Sequence, residues 1–238
     1  MQKDKLIVAL DVHTMEDVRA LVDKLGNSVN FYKVGMELFY SVGKDVVIFL
    51  KEKNKKVFLD LKLFDIPNTV AGGLTSLMSL GADMINVHAS GGFSMMEKGA
   101  KTLREAAKKA GVEPPKIIAV TVLTSMNDDE WKQMGHTTAI SDQVILFANL
   151  AKQAGLDGVV ASPMEAAAIR KAVGEDFLIV TPGVRPAGAD INDQSRIATP
   201  KSALEAGATH LVVGRPIRAA KDPKIAAENI LKEMEEVK

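Results

Sequence analysis

The stretch that decides the fold is FLDLKLFDIPNT, residues 58–69. Residues 57–61 form a short apolar run after a charged turn, and this pattern predicts a buried strand. Pro67 suits the first turn of a helix, where a missing N–H costs little. The stretch therefore predicts one strand followed closely by one helix.

The same unit recurs along the chain of 238 residues. Short apolar runs occupy residues 6–10, 30–34, 57–61, 84–87, 117–120, 158–160, 178–180 and 211–213. Amphipathic segments follow them at residues 15–25, 44–53, 69–80, 95–110, 141–154, 163–172, 200–206 and 223–236. Continuous apolar runs are typical of parallel strands covered by helices on both faces. The pattern predicts an α/β protein with one (β/α)8 TIM barrel, and a doubly wound sheet is the alternative.

The boundaries between these units carry no sign of a second domain. Gly81, Gly155 and Gly207 each stand between a helical segment and a strand, as expected of glycines that end helices. No linker rich in Pro, Gly or Ser divides the sequence. We therefore expect residues 1–238 to form a single domain.

The composition excludes several classes of function. Thirty basic residues balance thirty acidic ones and aromatic residues make up 5%, so nothing indicates nucleic-acid binding. The chain has no cysteine, which excludes disulfides and thiol chemistry and fits a cytoplasmic protein. The first apolar run is too short for a signal peptide or a membrane span, and no later run is long enough.

Polar residues cluster where the predicted strands end. Side chains two apart on a strand share a face, so Asp60 and Lys62 are expected to point the same way. Asp65 follows in the connection, and Lys33 lies in the second strand. Charged clusters are usually solvated faces, but the apolar residues around this one favour a functional site. In a barrel of this kind the chemistry lies at the C-terminal ends of the strands, so these four charges are expected to form a row near one cavity.

Two further strand ends indicate an anion site. Gly214 and Arg215 follow the eighth strand at the start of a helix, where free N–H groups favour an anion. Arg215 offers a forked contact to phosphate, although an ordinary surface arginine remains the alternative. The long connection after the seventh strand is rich in Gly, Pro, Asp and Asn, which is typical of a loop that closes over a ligand.

The row of charges restricts the chemistry. A lysine between carboxylates stays charged and is a poor Schiff-base nucleophile, but it donates protons and stabilises a developing anion well. This pattern suggests carbanion chemistry without a metal or an organic cofactor. His88 also follows a strand, but a structural histidine is the more common case. The histidine spacings do not indicate zinc, and the sequence contains no P-loop.

The motif Asp60-x-Lys62-x-x-Asp65-Ile66-Pro67-Asn68-Thr69 resembles that of the orotidine 5′-monophosphate decarboxylase family. Further matching segments are VALDV (residues 8–12), YKVGMELF (32–39), VTVLTSM (120–126), TPGVRP (181–186) and VVGRPI (212–217). Their order and spacing resemble the bacterial branch. The resemblance implies decarboxylation of orotidine 5′-monophosphate to uridine 5′-monophosphate, the last step of uridine monophosphate synthesis, with no metal and no cofactor.

The resemblance also implies a role for each matching residue. Lys62 is the implied proton donor to C6 of the pyrimidine, and Asp60 is placed beside the departing carboxylate. Lys33 is implied to contact the ribose. The other implied substrate contacts are Asp11 to the ribose, Thr124 to the pyrimidine, Gln194 between base and phosphate, and Arg185, Gly214 and Arg215 to the phosphate. Asp65, Ile66 and Thr69 are implied to reach the neighbouring subunit's site in a homodimer.

Two other functions are alternatives to the decarboxylase activity that the resemblance implies. Sugar-phosphate enzymes of the same fold share the Asp-x-Lys-x-x-Asp core and use magnesium, held by an acidic residue on the second strand. Here that position is Lys33, which repels magnesium, and the Ile-Pro-Asn-Thr continuation also differs from that branch. A non-catalytic phosphate-binding barrel is the other reading, and the presence of Lys62 between two carboxylates argues against it.

Overall fold

The computed structural model describes residues 2–186 and 198–237 and contains a closed barrel of eight parallel strands. Each strand pairs with its neighbours in chain order, and the first strand pairs with the last. The strands are Leu6–Ala9 (β1), Phe31–Gly35 (β2), Lys56–Leu63 (β3), Met84–His88 (β4), Lys116–Val120 (β5), Gly158–Val160 (β6), Leu178–Thr181 (β7) and His210–Val213 (β8). The predicted (β/α)8 TIM barrel is confirmed, and the doubly wound sheet is wrong.

Helices follow the strands and form the outer layer. The α-helices are Met15–Leu25 (α1), Met36–Val42 (α2), Asp45–Glu52 (α3), Pro67–Ser79 (α4), Phe93–Ala110 (α5), Asp128–Gln133 (α6), Ile140–Gln153 (α7), Ala166–Val173 (α8), Pro200–Glu205 (α9), Arg215–Arg218 (α10) and Pro223–Glu235 (α11). Short 3-10 helices span Gln2–Asp4, Gly26–Ser28, Ala89–Gly91 and Pro163–Glu165. Within the described ranges, no helix is long and apolar enough to cross a membrane.

The boundaries depart from the sequence prediction in a few places. The helices α2 and α6 were not predicted, because seven and six residues are too few to display a helical period. The segment from Pro163 begins as a 3-10 turn, and α8 starts only at Ala166. The strand β3 continues to Leu63, two residues beyond its predicted end.

The glycines before three even-numbered strands end the preceding helices, as predicted. Gly81, Gly155 and Gly207 have φ angles of 84°, 79° and 99°, which lie in the left-handed region. A residue with a Cβ is strained there, and glycine is not. These turns bring the chain back to the N-terminal end of the barrel.

Alternation along the strands creates two cores. One set of side chains fills the barrel interior: Ile7, Ala9, Phe31, Phe58, Met84, Ile118, Val180 and Val212. The neighbouring residues on each strand, such as Val8 and Tyr32, point outward and pack in the larger core that also includes helix residues. Because the period is two, the residues that follow the interior set toward the C-terminal ends also face inward. That is where the charged side chains lie.

Candidate active site

Four charged side chains form a continuous row at the C-terminal ends of β1, β2 and β3. Lys33 Nζ lies 3.2 Å from Asp11 Oδ1 and 3.4 Å from Asp60 Oδ2. Lys62 Nζ donates a hydrogen bond of 2.7 Å to Asp60 Oδ1. We call Asp11, Lys33, Asp60 and Lys62 the charged row. Its signs alternate, so each interior member is held between two opposite charges.

The two central members of the charged row stay ionised despite their burial. The side chains of Lys33 and Asp60 are each 13% exposed. Burial alone lowers the pKa of Lys33, but Asp60 and Asp11 outweigh it and the net pKa is raised. Burial alone raises the pKa of Asp60, but Lys33 and Lys62, with hydrogen bonds from Lys62 and Asn86, leave its pKa lowered. The charged forms therefore persist at neutral pH.

The backbone at Lys62 departs from a regular strand. Lys62 has a φ of 51°, in the left-handed region that disfavours a residue with a Cβ. In the same place the register of β3 against β4 shifts, with Leu59 opposite Ile85 and Leu63 opposite Val87. Asp60 and Lys62 do meet, as strand alternation suggested, but on a bulged strand whose bend aims Lys62 at Asp60.

Asn86 of β4 joins this bulge to the charged row, and the sequence analysis missed it. Its side chain is fully buried. Its Nδ2 donates to Asp60 Oδ1 at 2.7 Å, and its Oδ1 accepts from the backbone N–H of Lys62 at 2.8 Å. The available signal was a single amide inside the apolar run of β4, two residues before His88, and a buried amide must find polar partners.

Asp65 does not join the charged row of its own chain. The strand ends at Leu63 and the chain turns toward α4, which leaves Asp65 exposed. Its Oδ1 accepts a hydrogen bond from the backbone N–H of Ile66 at 2.6 Å. The expectation that all four charges predicted from sequence lie in one row therefore holds for three of them within one chain. Ile66 and Thr69, which follow in the same loop and helix, are exposed as well.

A cavity of about 200 Å³ lies against the charged row, and its opposite wall is apolar. Lys33, Asp60 and Lys62 line one side of it. The rest of the lining comes from Phe58 and from the second half of the barrel: Val120, Val122, Leu123, Thr124, Val160, Pro182 and Val212. Charges in contact with an apolar wall interact more strongly than charges in water. Thr124, for which the resemblance implies a pyrimidine contact, also lines this cavity.

Two arginines converge beyond the ends of β7 and β8. The pKa of Arg185 is lowered by its burial and then by the positive charge of Arg215. Arg185 is 6% exposed, and among the described residues no acceptor bonds to its Nε. A buried guanidinium beside a second one provides the charge and donors that an anion needs.

The remaining predicted site residues lie as follows. Gly214 borders the charged row, since a Cβ built on it lies 3.3 Å from Asp11 Oδ2. Gln194 lies outside the described residues.

His88 is half-buried, and its Nδ1 lies 2.6 Å from the Ser90 hydroxyl. Burial and then the charge of Lys62 lower the pKa of His88, which favours the neutral ring. His88 therefore has a structural partner, in keeping with the interpretation favoured from sequence.

A model of the orotidine 5′-phosphate decarboxylase / HUMPS family matches residues 4–230. The chain belongs to this family. The match spans all eight strands and the whole charged row, so family membership and the geometry of the site refer to the same residues.

Members of the family from several bacteria are similar to this chain over nearly its full length. The orotidine 5′-phosphate decarboxylase of Moorella thermoacetica is 51% identical over 237 residues, which is 99% of this chain and 94% of that protein. The enzyme of the same name from Nostoc sp. is 45% identical and covers 98% of both chains. A crystal structure of orotidine 5′-phosphate decarboxylase from Lactobacillus acidophilus superposes with a TM-score of 0.85 at 44% identity, covering 96% of this chain and 98% of that one.

Proposed function

We propose that this chain decarboxylates orotidine 5′-monophosphate to uridine 5′-monophosphate and carbon dioxide, the last step of de novo uridine monophosphate synthesis. The observation that carries the proposal is the charged row, with Lys62 held at 2.7 Å from Asp60 beside a cavity of about 200 Å³. The relatives of the same name support the choice of substrate.

In the proposed reaction Asp60 acts first, beside the substrate carboxylate, and Lys62 acts second, as the proton donor. The substrate carboxylate lies beside Asp60, and the bond from C6 of the pyrimidine to that carboxylate breaks as carbon dioxide leaves. The electron pair stays on C6, where the ammonium of Lys62 stabilises it. Lys62 Nζ then gives a proton to C6, and the neutral amine recovers a proton from water. General acid catalysis contributes about 10²–10⁴-fold, so electrostatic stabilisation and remote binding supply the rest.

The remaining residues hold the nucleotide. Asp11 and Lys33 bind the ribose, and Thr124 binds the pyrimidine against the apolar wall. Arg185, Gly214 and Arg215 hold the phosphate, and Gln194 bridges the base and the phosphate. The repulsion between Arg185 and Arg215 is relieved when a phosphate lies between them, and this supports the phosphate assignment. Binding energy from this remote group can then support the reaction at C6.

The active enzyme in this proposal is a homodimer with shared sites. Asp65 has no bond to the charged row of its own chain in the described residues, so the partner subunit's Asp65 completes the row. The same segment exposes two apolar side chains: Phe64 is 62% exposed and Ile66 is 67% exposed. Such a patch is typical of a protein–protein interface. Ile66 and Thr69 enter the partner's site with Asp65.

The proposal extends to the organisation and location of the protein. Residues 1–238 form one domain, which the closure of β1 on β8 supports. The protein works in the cytoplasm, which fits a chain without cysteine. Its small-molecule partner is the nucleotide, and neither nucleic acid nor a membrane is part of the proposal.

Metal-free catalysis separates this proposal from the sugar-phosphate branch of the fold. Lys33 occupies the position where that branch places an acidic ligand. Its Nζ and that of Lys62 both bond Asp60, so two cations already occupy the carboxylate that a divalent ion would need. A magnesium-dependent reaction at this site is therefore disfavoured by charge.

The test is a spectroscopic assay. Purified protein is mixed with orotidine monophosphate and the loss of its ultraviolet absorbance is followed with a chelator present, then with added magnesium. We expect equal turnover in both conditions. Absence of turnover, or turnover only with magnesium, contradicts the proposed function. Hybrid dimers of Asp65→Ala and Lys62→Ala chains test the shared site, since one intact site is expected in each hybrid and none in either parent.

A further inference from the structure

We propose that Asn86 is a positioning residue for this chemistry: its side-chain amide orients the carboxylate of Asp60 and the backbone of Lys62. This inference rests on the proposed decarboxylation. Asn86 has no place in the substrate contacts described above, and the cavity lining does not include it. Its effect therefore passes through the two residues that it bonds.

The chemistry of its partners fixes the orientation of the amide. The backbone N–H of Lys62 can only donate, so it faces Oδ1 of Asn86 at 2.8 Å. The ionised carboxylate of Asp60 can only accept, so it faces Nδ2 at 2.7 Å. Neither a carboxylate nor an apolar side chain at position 86 makes both bonds at neutral pH.

The bulge in β3 explains why a side chain is needed here. Four residue steps on β3, from Leu59 to Leu63, lie opposite only two steps on β4, from Ile85 to Val87. A regular ladder of backbone bonds is interrupted over this interval. The amide of Asn86 supplies the acceptor for Lys62 N–H inside the interruption, and this bond stabilises the left-handed φ of 51°.

The second bond acts on Asp60. Oδ1 of Asp60 receives both Lys62 Nζ and Asn86 Nδ2 at 2.7 Å, while Oδ2 faces Lys33 at 3.4 Å. The amide thus orients the carboxylate so that each oxygen meets a different lysine. Without it, Asp60 keeps only its two lysine partners, and Lys62 loses the acceptor of its backbone N–H.

Two variants test this role by turnover. Asn86→Ala is expected to lower kcat by about 10²-fold, the loss typical of a reacting group displaced by about 1 Å, while product affinity changes less than about threefold because the phosphate contacts are intact. Asn86→Asp is expected to lose activity as pH rises. Its protonated carboxyl can donate to Asp60 and accept from Lys62 N–H, whereas its ionised form repels Asp60. A wild-type pH profile for Asn86→Asp would overturn the proposal.

A measurement without turnover separates this role from the proposed function. Carbon-13 NMR titration of the Asp60 carboxyl is expected to show a higher pKa in Asn86→Ala than in the wild type, because a bond to the ionised form is lost. An unchanged pKa would refute the positioning role even in an active enzyme. Loss of the proposed function would instead appear as an inactive wild type, and the titration would still decide the role of Asn86.

The control is Asn149→Ala. The amide of Asn149 lies on α7 and donates to the carbonyl of Ile145, far along the chain from the charged row. We expect kcat, its pH profile and the Asp60 titration to match the wild type. Product binding and a cooperative melting transition verify that each Asn86 variant is folded. If Asn86→Ala fails that check, the pH profile of Asn86→Asp and its own Asp60 titration still decide the proposal.

Discussion

The two ends of the barrel use charged side chains in opposite ways. At the N-terminal end, oppositely charged side chains form compact pairs, such as Lys51 with Asp83 at 2.7 Å and Lys56 with Asp4 at 3.1 Å. At the C-terminal end, the members of the charged row are linked, because Lys33 contacts Asp11 and Asp60 and because Asp60 contacts both Lys33 and Lys62. There, the positive charge of Arg215 also acts, after burial, to lower the pKa of Arg185. One end therefore holds separate ion pairs, and the other holds a continuous row of linked charges beside a cavity.

The N-terminal end also repeats one stabilising device. Asp83 accepts a hydrogen bond from Val57 N–H at 2.8 Å, and Asp157 accepts one from Ile117 N–H at 2.9 Å. In the next pair of units, Thr209 Oγ1 accepts from Ile179 N–H at 3.0 Å. In each case, the side chain just before an even-numbered strand accepts a hydrogen bond from a backbone N–H near the start of the preceding odd-numbered strand. These bonds hold adjacent units together.

The contrast indicates that the C-terminal end of the barrel serves turnover and the N-terminal end serves stability. Lys62 has a left-handed φ, and the Nε of Arg185 has no acceptor among the described residues; such local costs are common at functional sites. Cavities of about 390 and 450 Å³ also lie at the N-terminal end, so size does not mark the active site. Variants at the C-terminal end are expected to change turnover, and variants at the N-terminal end are expected to change stability.

The largest expected effect is that of Lys62→Ala. Removing the proton donor is expected to lower kcat by about 10⁴-fold or more, the upper end of general acid catalysis, because the same ammonium also stabilises the carbanion. Affinity for uridine monophosphate, measured by calorimetry, is expected to change little, since the phosphate contacts remain. Lys62→Arg is the control that keeps the charge. Turnover by Lys62→Ala within tenfold of the wild type would contradict the proton-donor role.

The phosphate position is tested by Arg215→Ala. A hydrogen bond to a charged group contributes about 1.5–3 kcal/mol, so kcat/KM for orotidine monophosphate is expected to fall about 10- to 100-fold. The same variant assayed with orotidine, which lacks the phosphate, provides the control, because there the loss is expected to vanish. An equal loss with both substrates would mean that Arg215 acts on folding or on the base instead.

The barrel was predictable from the sequence because its strands are buried on both faces. Each strand appears as an apolar run, and the predicted strand boundaries agree with the structure to within two residues. Asp60, Lys62 and Lys33 were predictable as well, because charges at the ends of such runs are conspicuous. The cavity then brings them together with Thr124.

Three features of the site were not predictable, each for a physical reason. Lysine has no preference for the left-handed region, so nothing at position 62 indicates its φ of 51°. Asn86 is hidden because one amide hardly changes an apolar run, and its importance depends on a neighbouring strand. The position of Asp65 depends on the turn after Leu63, and its proposed contact lies in another subunit, which local patterns cannot describe.

The N-terminal end is tested by Asp157→Ala. This change leaves the buried N–H of Ile117 without its acceptor, so the free energy of unfolding is expected to fall by about 1–3 kcal/mol while kcat stays unchanged. Asp157→Asn keeps an acceptor oxygen and removes the exposed ion pairs with Lys116 and Arg104, which contribute no more than about 1 kcal/mol. Urea unfolding of both variants, with parallel assays, makes the measurement. A fall in kcat without a loss of stability would contradict the assignment of stability to the N-terminal end and turnover to the C-terminal end.

The smallest expected effect comes from Gly35→Ala. This change adds a methyl group beside Lys33 and removes no member of the charged row. The φ of Gly35 is −88°, so glycine is not required by the backbone there. A Cβ at this position lies 3.1 Å from Lys33 Nζ, and the lysine must shift by a few tenths of an ångström. We expect kcat to fall about tenfold, since a full 1 Å displacement costs about 10²-fold. Gly72→Ala is the matched control, because a Cβ on this α4 glycine meets nothing within 4 Å. Equal kcat values for the two variants would show that the row tolerates displacement, and that its charges matter more than their exact positions.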